Sequence, residues 1–295
     1  MVKSKSIIYI IIILAIAVML FFFLRTVFAG DLIVSPIIFT LGPFEVRWYG
    51  VFIALGIVIA YLIGRKLAIR EGIDEDYVIE LVFFGIIFGI IGARVYYVLF
   101  NLSYYLKNPI EIVKIWSGGL AIHGAIFSAL LVGFIYVKLR KKANMKFLQM
   151  TDIFTAVLPF AQALGRWGNF MNYEAYGKPT ELPWKMFVPL ANRMPGYSQY
   201  EYFHPTFLYE SLWDLLVFGV LIWFFMKGRK NYGEVTGLYM IIYSTGRFFI
   251  EALRLDSLYI GELRTAQVVS VILVAAGLVI FILARKKGES VKTVS

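Results

Sequence analysis

Apolar and polar positions fall in long blocks along this chain. Eight apolar runs, at 7–24, 48–64, 77–100, 119–137, 148–165, 206–226, 235–252 and 265–284, each carry few charges. Their lengths lie near the roughly 20 residues that a helix needs to cross a bilayer. The pattern predicts an all-α, multi-pass membrane protein with a membrane domain over 31–288. The longest polar stretch, 166–205, is rich in Gly, Pro, Asn, Trp and Tyr and predicts a small extracytoplasmic head. Residues 1–30 read as an N-terminal transmembrane anchor and 289–295 as a cytoplasmic tail.

The first run also has the basic start of a signal segment, and Val27-Phe28-Ala29 fits a cleavage site. Its apolar stretch exceeds the usual length of about 7–15 residues, which favours a retained anchor. Seven spans would remain without it.

Composition agrees with the membrane reading. Hydrophobic residues make up 60% of the 295 and charged residues only 16%, where a soluble domain carries about 25%. Mean hydropathy is +0.76. The net charge of +10 could suggest nucleic acid, but 17 of the 29 Lys and Arg sit in alternate loops, beside the ends of apolar runs. That is the positive-inside pattern, and it predicts cytoplasmic termini and no nucleic-acid partner. The chain has no cysteine and only two histidines, His123 and His204, so no metal centre or cofactor is expected.

The informative residues are polar groups at the outer ends of the spans. Ionisable groups there cost about 2.5–3.5 kcal/mol each on insertion scales and mark functional sites by default. In YSTGRFFIEALRLD, Tyr243, Arg247, Glu251 and Arg254 would form one stripe of a helix. In ALGRWGNFMNYEAYG, Arg166 offers a bidentate fork, Asn169 and Asn172 offer amides, and Glu174 could fix an arginine. His123 lies one turn into the 119–137 run and could take a proton near neutral pH. Glu210 and Asp214 share a helix face after His204-Pro205; Arg47, Trp48 and Tyr49 open the second run. Arg94 sits toward an outer helix end after Gly85, Gly89 and Gly92, which suit close helix packing. Arginines at headgroup depth beside a histidine and carboxylates suit an anionic phospholipid. A lipid or small-anion transporter is the competing class, although broken helices and repeated halves are missing.

GRWGNFMNYEAYG resembles the signature of bacterial prolipoprotein diacylglyceryl transferases, and RWYG, GARVYYVLF, WSGGLAIHG, HPTFLYE and GRFFIEALR follow that family's order. The similarity covers about residues 31–284. Ser117 stands where the family often has Asp, and Ala125 where it often has Gly. The resemblance implies a seven-span core, to which the first run is an addition. It implies an enzyme at the outer leaflet of the bacterial cytoplasmic membrane, acting in lipoprotein maturation. Its substrates would be phosphatidylglycerol and the lipobox cysteine of preprolipoprotein signal peptides. It points to His123, Arg166 and Arg247 as catalytic. Tyr49, Arg94, Asn169, Glu174, Gly177, Glu210, Tyr243, Glu251 and Arg254 would bind substrate.

Overall fold

The computed structural model describes residues 2–42 and 44–291, without the side chains of residues 2–13, 16, 17 and 117. The last four residues of the predicted tail, and the side chain of Ser117, lie outside the described residues. Every predicted span is a helix. These are α1 (Val2–Ala29), α2 (Trp48–Arg70), α3 (Glu75–Phe100), α5 (Ile122–Leu139), α6 (Phe147–Met171), α7 (Thr206–Trp223), α8 (Glu234–Glu251) and α9 (Thr265–Lys287), with a short α4 (Leu102–Lys107) between. The fold is therefore that of a multi-pass α-helical membrane protein.

Six of these helices, α2, α3, α5, α6, α9 and α7 with its extension to Gly228, are long and apolar enough to cross a bilayer. α8 misses that composition because Glu234, Arg247 and Glu251 lie among its 18 residues. Among the described residues there are also three two-stranded antiparallel ribbons, which apolar blocks do not signal: β1 (Ile37–Leu41) with β2 (Phe44–Arg47), β3 (Met186–Phe187) with β4 (Tyr202–Phe203), and β5 (Tyr259–Ile260) with β6 (Leu263–Arg264).

α6 is the central helix. It packs on α2, α7 and α8 and buries residues along its length, including Pro159 inside the helix. Bare glycine backbones bring the other helices close. A Cβ on Gly92 would come 2.7 Å from the Gly124 carbonyl, so α3 and α5 touch there. One on Gly237 would come 2.8 Å from the Gly277 carbonyl, between α8 and α9. The predicted packing role thus holds at Gly92, while Gly85 faces open space. α6 also runs further than its apolar block: Arg166 to Met171 are helical, and the head proper begins at Asn172.

At the end of α6 away from Arg166 lies a buried ionic cluster. Arg229, one of the basic residues between the 206–226 and 235–252 runs, has a side chain only 1% exposed. It pairs with Glu71 after α2 and, at 3.4 Å, with Asp152 of α6. Asp152 also accepts the Gly233 and Thr236 N–H groups and the Thr236 hydroxyl at 2.8–2.9 Å, capping α8. Phe225 covers the guanidinium at 3.8 Å. Arg229→Ala would leave two buried carboxylates without their cation. It is expected to destabilise the fold by about 3–5 kcal/mol, read as a fall in Tm in detergent. Lys142→Ala, at an exposed position, is expected to leave Tm unchanged.

Candidate active site

The opposite ends of α6, α7 and α8 bring charged residues together around one carboxylate. Glu210 of α7 is 4% exposed. Arg166 of α6 approaches its Oε2 at 2.8 Å, while Arg247 of α8 and Arg254 reach its Oε1 at 2.6 and 3.3 Å. Arg247 donates a second bond, of 2.5 Å, to Glu251 one turn along α8. Asp214, one turn along α7 from Glu210, lies 4.0 Å from Arg166 Nε. The Arg166 contact is an ion pair without hydrogen-bond geometry: Arg166 Nε, Glu210 Oε2 and Asp214 Oδ2 are buried with no hydrogen-bond partner. Arg166 is thus the most weakly satisfied guanidinium of the three, and its side chain keeps 20% exposure.

Local structure explains how these groups meet. Trp213 occupies the space a Cβ on Gly246 would take and donates from Nε1 to the Ile242 carbonyl at 3.1 Å, which sets α7 close against α8. Phe170 and Phe207 stack at 4.6 Å and fix the spacing of α6 and α7. The predicted stripe is cut short, because α8 ends at Glu251 and Arg254 sits in the following turn. Its guanidinium is held by Asp256 at 2.7 and 2.9 Å, and its backbone bridges to Gly177. Arg264 buttresses that turn by donating to the carbonyls of Glu251 and Arg254 at 2.6 and 2.8 Å.

The signature stretch divides its labour. Among the described residues Glu174 pairs with amides and with no arginine. It accepts from the Asn169 and Asn172 amides at 2.8 and 3.3 Å. On either side of it, Tyr173 and Ala175 adopt φ of 50° and 58°, left-handed conformations that cost about 1–3 kcal/mol each in non-glycine residues. Nearby bonds hold them. The Tyr173 hydroxyl accepts the Val34 N–H at 2.9 Å, and the Ala175 carbonyl accepts a short bond from Thr206. Gly168 has no room for a Cβ because the Tyr49 ring fills that space. At Gly177 a Cβ would come 2.8 Å from His204 Cβ and 3.0 Å from the Leu253 carbonyl, so the glycine lets three segments converge. Tyr243 stacks on Tyr239 at 5.3 Å, and Tyr239 donates to Gln162 at 3.1 Å.

Two expected members stand apart. Arg94 is buried, and its guanidinium donates to the carbonyls of Glu111, Ile112, Gly118 and Gly119 at 2.5–2.9 Å. It shapes the loop ahead of α5. His123 is exposed on α5, with its ring 5.9 Å from Tyr96; none of its described contacts is with the arginine cluster. His204, the other histidine, has its pKa lowered by burial and by the Lys178 charge, with Nδ1 3.1 Å from the Tyr209 hydroxyl. Asp214, Asp256 and Arg264 join the cluster without having been singled out as site residues. Only Asp214 gave a signal, its i+4 spacing from Glu210.

A family model described as prolipoprotein diacylglyceryl transferase matches residues 36–283. A phosphatidylglycerol–prolipoprotein diacylglyceryl transferase of Fervidobacterium nodosum is 58% identical, over 93% of this chain and 94% of its own length. One of Thermotoga maritima is 55% identical over 92% of each chain. One of a Nostoc species is 45% identical over 83% of this chain and 87% of its own. Nothing in these relatives favours a transporter. By its match to the family model and its identity to these relatives, the chain belongs to the prolipoprotein diacylglyceryl transferases.

Proposed function

We propose that this protein moves the sn-1,2-diacylglyceryl group of phosphatidylglycerol to the lipobox cysteine thiol of a preprolipoprotein. The observation that carries this reading is the sharing of Glu210 by three guanidiniums. Arg247 and Arg254 have further carboxylate partners, whereas Arg166 keeps a buried Nε–H with no hydrogen-bond partner, a donor that a phosphate oxygen can take. The reaction belongs at the outer leaflet of the bacterial cytoplasmic membrane, with both termini in the cytoplasm, as the distribution of basic loops suggests. Residues 31–288 act as the transferase domain.

The thiolate sulfur attacks the glyceryl carbon that bears the phosphate ester. A C–S bond forms and the C–O bond breaks, and its electron pair leaves with glycerol phosphate. The phosphate passes from one negative charge toward two, so cations aimed at it gain strength in the transition state. Arg166 and Arg247 serve this purpose, and Arg254 meets the leaving group. Glu210 and Glu251 hold the forks in place, while Asn169, Glu174, Tyr49 and Tyr243 orient the glycerol headgroup. Gly177 acts through the backbone approach it permits, and Arg94 by shaping the loop before α5. A free thiol has a pKa of about 8.5 and needs a base. We assign that role to His123, with the substrate spanning the distance to the arginines.

Incubating the purified protein with phosphatidylglycerol and a lipobox peptide is expected to add a diacylglyceryl mass to the peptide. Absence of that product beside an active control preparation would defeat the proposal. Arg247→Lys keeps the charge but loses the fork that reaches both Glu210 and Glu251. Turnover is expected to fall by about 10²–10³-fold, the scale of one lost transition-state donor, and wild-type turnover would remove Arg247 from the machinery. His123→Gln is expected to lower turnover by about 10²–10⁴-fold at every pH tested, the scale of a lost general base. An unchanged rate and profile would move the base elsewhere, with Asp214→Asn the next variant to measure.

A further inference from the structure

α1 changes character along its length. Met19, Phe21 and Phe22 are 65%, 63% and 55% exposed, as suits a lipid-facing helix. In the last turn, Val27 is only 1% exposed and joins a core formed with Phe170, Tyr173, Met186, Phe203 and Phe207. The Phe28 ring lies 5.6 Å from Phe170 and 6.1 Å from Phe207. These two rings are the ones that space α6 from α7. Phe170 follows Arg166 by one turn, and Phe207 precedes Glu210 by three residues.

The segment after α1 is tied down as well. The Ala29 carbonyl accepts from the Tyr202 hydroxyl of the head at 3.0 Å. Gly30 takes φ 88°, and a Cβ there would come 2.7 Å from the Phe187 ring. The Val34 N–H reaches Tyr173, the strained residue next to Glu174. Scission after Ala29 would strip Val27 and Phe28 from the core and leave Phe170 and Phe207 uncovered.

We infer that α1 and the strap 30–34 are a permanent part of the protein, a positioning element that sets the Arg166–Glu210 pair, and not a removable leader. The kinetic part of this inference rests on the proposed transferase activity, and the structural part does not. Intact mass of the full chain purified from membranes is expected to include every residue before Gly30. An active population beginning at Gly30 would overturn the inference.

Phe28→Ala is expected to lower kcat between about 10- and 100-fold, the scale of a misplacement near 1 Å, without changing KM for phosphatidylglycerol. It is also expected to raise deuterium uptake over 168–173 and 204–208. Phe28→Leu should restore most of both, and Phe21→Ala, on the lipid-facing side, should move neither. Wild-type kcat in Phe28→Ala would overturn the positioning role, and so would unchanged uptake. If the wild-type chain proves inactive, the mass and the deuterium uptake still decide whether α1 belongs to the folded protein.

Discussion

One buried carboxylate constrains the half of this molecule that holds the arginine cluster. Glu210 must lie within reach of guanidiniums on α6, on α8 and in the turn after α8. A buried charge left unpaired costs several kcal/mol, so the three segments cannot drift from α7 independently. The close contacts nearby serve that requirement. Gly246 makes way for Trp213, Phe170 stacks on Phe207, and Gly177 lets the head chain lie against Leu253 and His204. Sharing also has a chemical consequence. Arg247 and Arg254 find second carboxylates in Glu251 and Asp256, but Asp214 meets Arg166 only at 4.0 Å and the Arg166 Nε–H has no hydrogen-bond partner. The cluster therefore holds donors in place that a phosphate could complete.

The bundle's other ionic cluster shows that burial alone does not make a site. Arg229, Glu71 and Asp152 are as tightly packed as the Glu210 group, but all three side chains are at most 5% exposed. Phe225 covers the guanidinium, and Asp152 is occupied in capping α8. That cluster fastens α2, α6 and α8 and offers nothing to a ligand. The side chains of Arg166, Arg247 and Arg254 remain 20%, 18% and 12% exposed. Their accessibility distinguishes them, since each cluster combines arginine with carboxylates.

This contrast explains what could be read from the sequence. The apolar blocks foretold every long helix because lipid imposes length and composition locally. Arg247 with Glu251, and Glu210 with Asp214, were visible because helical spacing puts i and i+4 on one face. Partners across helices were not. Nothing local says that Glu174 takes the Asn169 and Asn172 amides, that Arg166 finds Glu210, or that Arg229 is buried. Arg94 looked like another phosphate ligand by residue type and depth, but it faces a loop of carbonyls. The left-handed turns at Tyr173 and Ala175 were equally hidden, since neither residue favours that conformation.

The signature stretch gathers several functions that need not have been contiguous. Arg166 contributes charge to the cluster and Gly168 admits the Tyr49 ring. Asn169 and Asn172 hold Glu174, and Gly177 aligns the backbone that carries Arg254. Their closeness in sequence follows from geometry. The last turn of α6 delivers one arginine, and the chain must then turn at once to bring a second strand of backbone beside the end of α8. Two non-glycine residues in left-handed conformations make that turn, at a cost of about 1–3 kcal/mol each. The head, α7 and the strap from α1 hold the turn through Tyr173, Ala175 and Tyr176. The head is therefore more than a cover over the helix ends. Its bonds offset the strain of the turn that sets Gly177 against Arg254, and so couple its own packing to the charge arrangement between the helices.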